Sequence, residues 1–473
     1  MKRPSSGGAT SPGSRAVVVG AGMAGMLAAS ALSGHADQVV IIDRDRIPGG
    51  AGPRKGLPQA RHAHMLMSGG AHVIESLLPG TIQRWVDAGA RRVALTAGMV
   101  VLGPQGWFPR RPGAQFSIAC TRDLLDLVVR DRVLALPGVV LRDGTEATAL
   151  VGDAGRVAGV KVREIDTRNF ETLEADLVVD ASGRGSQAAR RLADLGLPAV
   201  REESVDSGMV YATRIFQAPP ATGAFPLVSI QPRSHSRRPG QGATLLPIED
   251  GRWLVTVTGT RGGEPTRYAE DFEPFARGLR DPLLADLIAG AEPLTDVHLT
   301  RSTVNRRRFF ERLPATPEGF VILGDAVAVY NPVYGQGMSV AAQSAAALRE
   351  ALRERHVGSP GLARHVQRSV ARATGGAWAL ATGEDINYHG SIGNRPSAAA
   401  RLMRGYSQRM MWAATGNPVV LRALVDVMTL SAPMTRLVRP EVALGVALGP
   451  GRSAQSGPSI TQAEPALCGL TPR

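Results

Sequence analysis

Gly20-Ala21-Gly22-Met23-Ala24-Gly25 follows the apolar run Ala16–Val19 and opens a stretch with helical periodicity. The three glycines have separate duties in such a strand–turn–helix unit. Gly20 permits the tight turn, Gly22 lets the backbone approach a pyrophosphate, and Gly25 lets helix and strand pack closely. The helix N-terminus, at Met23 and Ala24, then offers free N–H groups and the positive end of its dipole to the phosphates. Asp43 ends the next strand, about 20 residues on, where a carboxylate holds a ribose hydroxyl. That acid argues against a 2′-phosphate, although Arg44 follows it. The unit predicts a dinucleotide site suited to FAD or NAD.

A second motif decides between them. Gly324-Asp325 ends the apolar strand Phe320–Leu323, and Asn331-Pro332-Val333-Tyr334-Gly335-Gln336-Gly337-Met338 leads into a helix expected over Met338–Arg353. A strand-end acid can bind a polyol hydroxyl. A Gly-rich loop opening a helix can present N–H groups to an electron-rich edge such as the flavin pyrimidine carbonyl. That edge gains negative charge on reduction, so the dipole favours reduced flavin. Alone, this motif reads as a turn and a cap. Paired with the first, it points to FAD. A third stretch, Asp180-Ala181-Ser182-Gly183-Arg184-Gly185-Ser186, follows the apolar run Leu173–Asp180 and precedes a helix. It could mimic a second fingerprint for NAD(P)H, but the next strand-like run, Met209–Phe216, does not end in an acid.

Between Met209 and Thr260 the pattern changes to short alternating runs split by Pro, Gly and Asp-Gly turns, the signature of antiparallel sheet. Beyond Met338 the chain reads as mostly helical. The expected fold is α/β: a Rossmann-like FAD-binding domain (15–85, 121–200 and 297–345), an inserted antiparallel β-sheet substrate domain (86–120 and 201–296) and a C-terminal helical region (346–448). Flexible tails are expected over 1–14 and 449–473.

Composition excludes several classes. The 473 residues are 44% hydrophobic, enough for a large core, yet no run of about 18 apolar residues exists to span a membrane. The N-terminus has no apolar signal segment, and Cys120 and Cys468 are the two cysteines, so a disulfide framework and a Cys-ligated metal site are not expected. A cytoplasmic protein without metal is the expectation. The net charge of +13 is carried by dispersed arginines, and aromatics make up only 4% of the chain, which argues against nucleic acid as partner. A basic surface suits an anionic cofactor or an acidic carrier protein.

With these motifs in place, the chain resembles the two-domain flavoproteins of the p-hydroxybenzoate hydroxylase fold. That resemblance implies that the first motif binds the ADP half of FAD and the second the ribityl chain and ring. It also implies that the Asp180, Ala181, Gly183 stretch returns to the pyrophosphate and can also serve nicotinamide docking, and that Arg122, at the start of a helix, lies against the FAD ribose or pyrophosphate. Narrower likenesses follow. Arg54-Lys55-Gly56-Leu57-Pro58-Gln59-Ala60-Arg61-His62-Ala63-His64, Leu77-Leu78-Pro79-Gly80, Gly106-Trp107, Val205–Arg214, Pro247–Trp253, Ser302–Arg307, Asn331–Gly335 and Leu380-Ala381-Thr382 are similar to the flavin epoxidases of polyether biosynthesis, those of the lasalocid and monensin pathways. The match runs from about Arg15 to Tyr388. It implies that Arg54, Arg61, His62 and Ala63 belong to a flavin-contacting loop.

The resemblance implies a monooxygenase that epoxidises carbon–carbon double bonds of an apolar polyene or polyketide through a flavin hydroperoxide. The FAD would be non-covalent, with NAD(P)H as electron source directly or through a flavin reductase, molecular oxygen as co-substrate, and an acyl carrier protein as a further partner. The cofactor carries this chemistry, so no catalytic side chain is expected. The pocket is expected between sheet and flavin, with Trp107, Met209, Tyr211, Thr213, Phe225 and Tyr334 as its lining. The competing readings are a hydroxylase of an aromatic or polyketide ring, and a flavin-binding redox sensor without turnover.

Overall fold

The computed structural model describes residues 13–220, 222, 225–394, 398–451, 455–461 and 464, with only the backbone for 398–402. Its centre is a sheet of five parallel strands in the order Phe320–Ile322, Leu177–Asp180, Arg15–Val19, Gln38–Ile42 and Val139–Arg142. Four of them read as nearly unbroken apolar runs because both faces of the sheet are covered. The helices Met23–Leu32, Arg122–Leu134 and Gly337–Glu354 pack together against it, and an antiparallel meander of Thr145–Gly152, Val157–Glu164 and Phe170–Glu174 adjoins the strand Leu177–Asp180.

Two stretches, Leu173–Asp180 and Val139–Leu150, each hold a pair of strands. Leu173 belongs to the meander and Leu177 to the central sheet; between them Asp176 turns and takes the Arg15 N–H on its carboxylate at 2.9 Å. The run from Val139 is broken in the same way at Gly144, whose φ of 61° lies in the left-handed region.

The second sheet has seven strands, in the order His298–Thr300, Val210–Gln217, Arg252–Gly259, Gln241–Ile248, Leu227–Ile230, Met99–Gly103 and Gly106–Trp107. It is antiparallel except where Met99–Gly103, arriving from a distant part of the chain, pairs parallel with Leu227–Ile230. One face buries an apolar core under the helices Ala269–Arg277 and Leu283–Ile288. The other face looks toward the parallel-sheet domain. The C-terminal helices Leu362–Asp385, Ala398–Ala414, Pro418–Met428 and Pro440–Leu448 complete the molecule, and Val101 and Phe108 pack into their core. The fold is thus the α/β flavoprotein architecture expected, with mixed rather than purely antiparallel strands in the second sheet.

The expected C-terminal tail is partly seated. Ser459 Oγ donates to the Phe108 carbonyl at 3.1 Å, and Glu464 pairs with Arg110 at 2.7 Å. Cys468 and residues 1–12 lie outside the described residues. Among the described residues no helix is long and apolar enough to cross a membrane, and no cluster of metal-ligating side chains occurs.

Candidate flavin site

A crevice of about 740 Å³ runs past the C-terminal ends of the central strands. Cofactor sites span about 300–1,000 Å³. Gly20, Gly22, Met23, Ala24, Asp43, Arg44 and Arg54, of the first motif and its neighbours, line it. So do Arg122, Ala181 and Gly183, and Asp325, Pro332, Gly335, Gln336, Gly337 and Met338 of the second motif.

The glycine geometry separates folding from binding. Gly20 has φ of 104°, and a Cβ there would sit 2.6 Å from the Ala181 carbonyl. A Cβ on Gly25 would lie 1.7 Å from the Gly20 carbonyl, so helix and turn touch. A Cβ on Gly22, on Gly183 or on Gly185 would meet no atom within 4 Å. Those three positions border open space, and no side chain caps the first turn of the helix Met23–Leu32. Free N–H groups facing an open cradle fit a pyrophosphate. The two motifs, some 300 residues apart, meet directly: a Cβ on Gly324 would be 2.6 Å from that of Ala24.

Asp43 is more heavily used than its motif suggests. One carboxylate oxygen accepts from the Ala21 N–H at 2.7 Å and pairs with Arg54 at 2.7 Å; the other accepts from the Asp45 N–H at 2.9 Å. Arg54 also donates to the Ala21 carbonyl at 2.8 Å, and so braces the glycine turn from outside. In the second motif Asp325 is half-buried. Burial raises its pKa, while Arg184, Arg122 and Arg306 oppose the rise. Gln336 lines the crevice and is 1% exposed, and among the described residues neither its amide oxygen nor its nitrogen has a partner. A buried amide with both groups unpartnered suits a ligand that offers donors and acceptors side by side, as the flavin pyrimidine edge does.

Several expected contacts lie elsewhere. Asp180 is fully buried and spent on its own turn: it accepts from Ser182 Oγ at 2.5 Å and Ser186 Oγ at 3.1 Å, with Arg191 3.6 Å away. It shapes the Gly183 turn and does not face the crevice. Arg61, His62 and Ala63 fasten their loop to the second sheet. His62 Nδ1 meets Thr213 Oγ1 at 2.7 Å, the Ala63 N–H reaches Thr256 Oγ1 at 3.2 Å, and Arg61 touches His298 at 3.3 Å. The crevice is lined instead by their neighbours Lys55–Gln59, His64 and Met65. Trp107 and Phe225 point the wrong way for a pocket, into the core under the helices Ala269–Arg277 and Leu283–Ile288. Tyr211 gives its hydroxyl proton to Asn331 and receives the Val333 N–H at 2.8 Å; Met209 and Thr213 are buried beside it. Tyr334 turns its hydroxyl to Asp385. Sequence reasoning passed over Arg184, Gln187 and Arg191 as crevice residues, although the Gly183-Arg184-Gly185 turn was the signal for them. It also passed over Asp385, which sits at the end of a long helix with no local motif.

The two histidines of the loop are neutral. Burial, aided by the nearby His64, His298 and Arg61, holds His62 down at about 4; burial and Arg122 do the same to His64. A depressed histidine makes the unfolded chain take up a proton that the folded chain refuses. Stability is therefore intact above the ordinary pKa of 6.5 and is lost as pH falls from there toward 4. For His62 the expected loss between pH 7 and pH 5 is roughly 1–2 kcal/mol. Urea unfolding at the two pH values measures it. The difference should shrink in His62→Gln, and an unchanged difference would show that His62 does not carry it.

A family model for FAD dependent oxidoreductases matches residues 16–221. Protein Rv3254 of Mycobacterium tuberculosis is 31% identical over 399 residues, covering 80% of this chain and 81% of that one. Kynurenine 3-monooxygenase of Salinispora arenicola is 27% identical over 353 residues, 72% of each chain. Among solved structures, the flavin-dependent brominase Bmp2 superposes with a TM-score of 0.64 at 16% identity, covering 88% of this chain and 92% of that one. PqsL from Pseudomonas aeruginosa, a probable FAD-dependent monooxygenase, gives 0.58 at 20% identity, with 79% and 97% covered. At such identities the structural likeness is one of fold. The chain belongs to the FAD-dependent oxidoreductases, in one family with protein Rv3254.

Proposed function

We propose that this chain is an FAD-dependent monooxygenase that epoxidises carbon–carbon double bonds of an apolar, elongated substrate such as a polyene or polyketide. In this reading Gly22 and the helix behind it hold the pyrophosphate, Arg54 and Asp43 the adenosine end, Asp325 the ribityl chain, and Gly335–Met338 the ring. The chemistry supplied when FAD is bound and reduced by NAD(P)H, directly or through a reductase, is activation of molecular oxygen.

The observation that carries the substrate class is the inner face of the seven-stranded sheet. Strand register places Ile215, Leu254, Leu246, Leu227 and Met99 in one row across it, and Thr213, Thr256, Thr244, Ser229 and Val101 in the next. Among the described residues these rows hold no carboxylate, lysine or arginine; His298 ends the second row against Thr213, and the other side chains are aliphatic, thioether or hydroxyl. Met65 reaches both the crevice and this face. An alkene is a neutral nucleophile that needs orientation and exclusion of water and no base; an uncharged face of this kind, covered by Ala63, Met65, Val93 and Ala119, supports that reading. A phenol gains from ionisation; the nearby imidazoles, His62 and His64, are held near 4 and are weak bases for it.

The second reading, hydroxylation of an aromatic ring, is favoured by the likeness to kynurenine 3-monooxygenase. An isotope experiment separates them. With NAD(P)H, a flavin reductase and labelled oxygen, a panel of polyenes should yield epoxides carrying one labelled atom per oxidised alkene. Labelled phenols from an aromatic panel with no epoxide from any alkene would replace the first reading by the second. Hydrogen peroxide alone, with every substrate, would remove both.

A further inference from the structure

Asp385 is the last residue of the helix Leu362–Asp385 and is fully buried. Among the described residues no cation pairs with it: burial raises its pKa, and the side chains that oppose the rise, Tyr334, Asn331, Asn305 and Ser207, are neutral. One carboxylate oxygen accepts from Asn305 Nδ2 at 2.6 Å and from Asn331 Nδ2 at 2.9 Å. The other accepts from the Tyr334 hydroxyl at 2.5 Å. These donors are themselves cross-linked. The Asn331 N–H donates to Asn305 Oδ1 at 2.8 Å, and Asn331 Oδ1 takes the Tyr211 hydroxyl and the Val333 N–H. The result is a closed network that joins a helix of the C-terminal region, the strand Asn305–Arg308, the seven-stranded sheet and the loop Asn331–Gly335.

Asn331, Pro332 and Gly335 of that loop line the crevice, in the part proposed to receive the flavin ring. Its shape depends on both of its ends. Asn331 caps the short turn Pro332–Tyr334, and Gly335 leaves it with φ of 64°. Asp385 grips the residue at the start of the turn and the residue at its close. A buried carboxylate without a counter-charge is costly unless its lone pairs are satisfied, and removing it strands the donors that faced it.

We propose that Asp385 is a positioning residue which clamps the Asn331–Gly335 loop in the form that receives the ring of FAD, so that the C-terminal helical region controls cofactor retention without touching the cofactor. This rests on the FAD reading of the crevice. The carboxylate acts as a three-donor acceptor. An amide oxygen can keep both carboxamide donors and lose only the tyrosine arm, so Asn should replace it far better than Ala.

The test is FAD titration of the apo-protein, followed by flavin fluorescence and by the fine structure of the 450 nm band. Asp385→Ala should raise the FAD dissociation constant about ten-fold or more, with a blurred band, because one charged acceptor serving three donors is lost. Asp385→Asn should stay within about three-fold of wild type, and Tyr334→Phe should shift the constant in the same direction as Asp385→Ala by less. Circular dichroism and melting report whether each variant is folded. A folded Asp385→Ala with wild-type affinity and band shape overturns the proposal. If Asp385→Ala does not fold, wild-type affinity in Tyr334→Phe together with wild-type band shape in both remaining variants overturns it. Failure of wild type itself to bind FAD overturns the FAD reading, and is recognised because no variant is then distinguishable from it.

Discussion

A Gly22→Val variant should fold, melt close to wild type, and bind FAD on the order of 100-fold more weakly, a change equivalent to about 2.8 kcal/mol. The reason is local. Gly22 has φ of −79° and ψ of −176°, an extended conformation open to any residue, and a Cβ there would touch nothing within 4 Å. The protein has no steric objection to a side chain. The space that Val would fill lies in front of the uncapped helix Met23–Leu32, where the pyrophosphate has to come within reach of the N–H groups. Gly25→Ala is the control with the opposite behaviour. Its Cβ would overlap the Gly20 carbonyl at 1.7 Å, so it should damage folding as well as binding. Reconstitution of the apo-protein with FAD, read by fluorescence, and thermal melting of both variants make the comparison. A yellow Gly22→Val protein with wild-type affinity would remove the glycine turn from the cofactor site.

The second large effect is expected at Asp43. Its pair with Arg54 is nearly buried, the two side chains being 11% and 8% exposed. Breaking a buried pair by removing one partner costs about 3–5 kcal/mol, because the remaining charge is left uncompensated. Asp43→Ala also leaves the Ala21 and Asp45 N–H groups without their acceptor. Denaturant unfolding of the apo-protein should show that loss before any cofactor is added. Asp43→Ala combined with Arg54→Met should recover part of it, since the stranded guanidinium is gone. If the double variant is no more stable than the single one, the cost lies in the lost N–H contacts and not in the charge. An apo-protein that tolerates Asp43→Ala within 1 kcal/mol (about the size of one ordinary hydrogen bond) would show that the pair is not holding the turn.

The local units of this chain were legible because their physics is local. A strand, three glycines at fixed spacing and an uncapped helix announce a phosphate cradle whatever surrounds them, and an acid about 20 residues on belongs to the same unit. The strand-ending Gly324-Asp325 and the Gly335–Met338 turn were legible for the same reason; Gly20, Gly22, Asp43, Asp325 and Gly335–Met338 line one crevice, while Gly25 and Gly324 pack the turns behind it. The composition excluded a disulfide framework. The alternation from Met209 to Thr260 announced a sheet with one face turned inward.

What the alternation could not say is which face looks at the crevice. Trp107 and Phe225 are large and aromatic, and were expected over the flavin. They are buried under helices whose docking side is decided by packing from a different part of the chain. The parallel placement of Met99–Gly103 beside Leu227–Ile230 is equally invisible locally, since the partners are more than a hundred residues apart. Asp180 and Asp43 illustrate the limit for charged groups. Both end strands of the central sheet, yet one is consumed by Ser182, Ser186 and Arg191 while the other borders the crevice. Asp385 had no motif, because its meaning comes from Asn305, Asn331 and Tyr334 being folded around it. Backbone geometry at a turn is dictated by the residues in that turn, so the sequence by itself determined the cofactor class and the parallel core. The direction a side chain faces and the partners left for a carboxylate depend on what packs against it, so the inner face of the sheet and the clamp on the flavin loop were decided only by the tertiary structure.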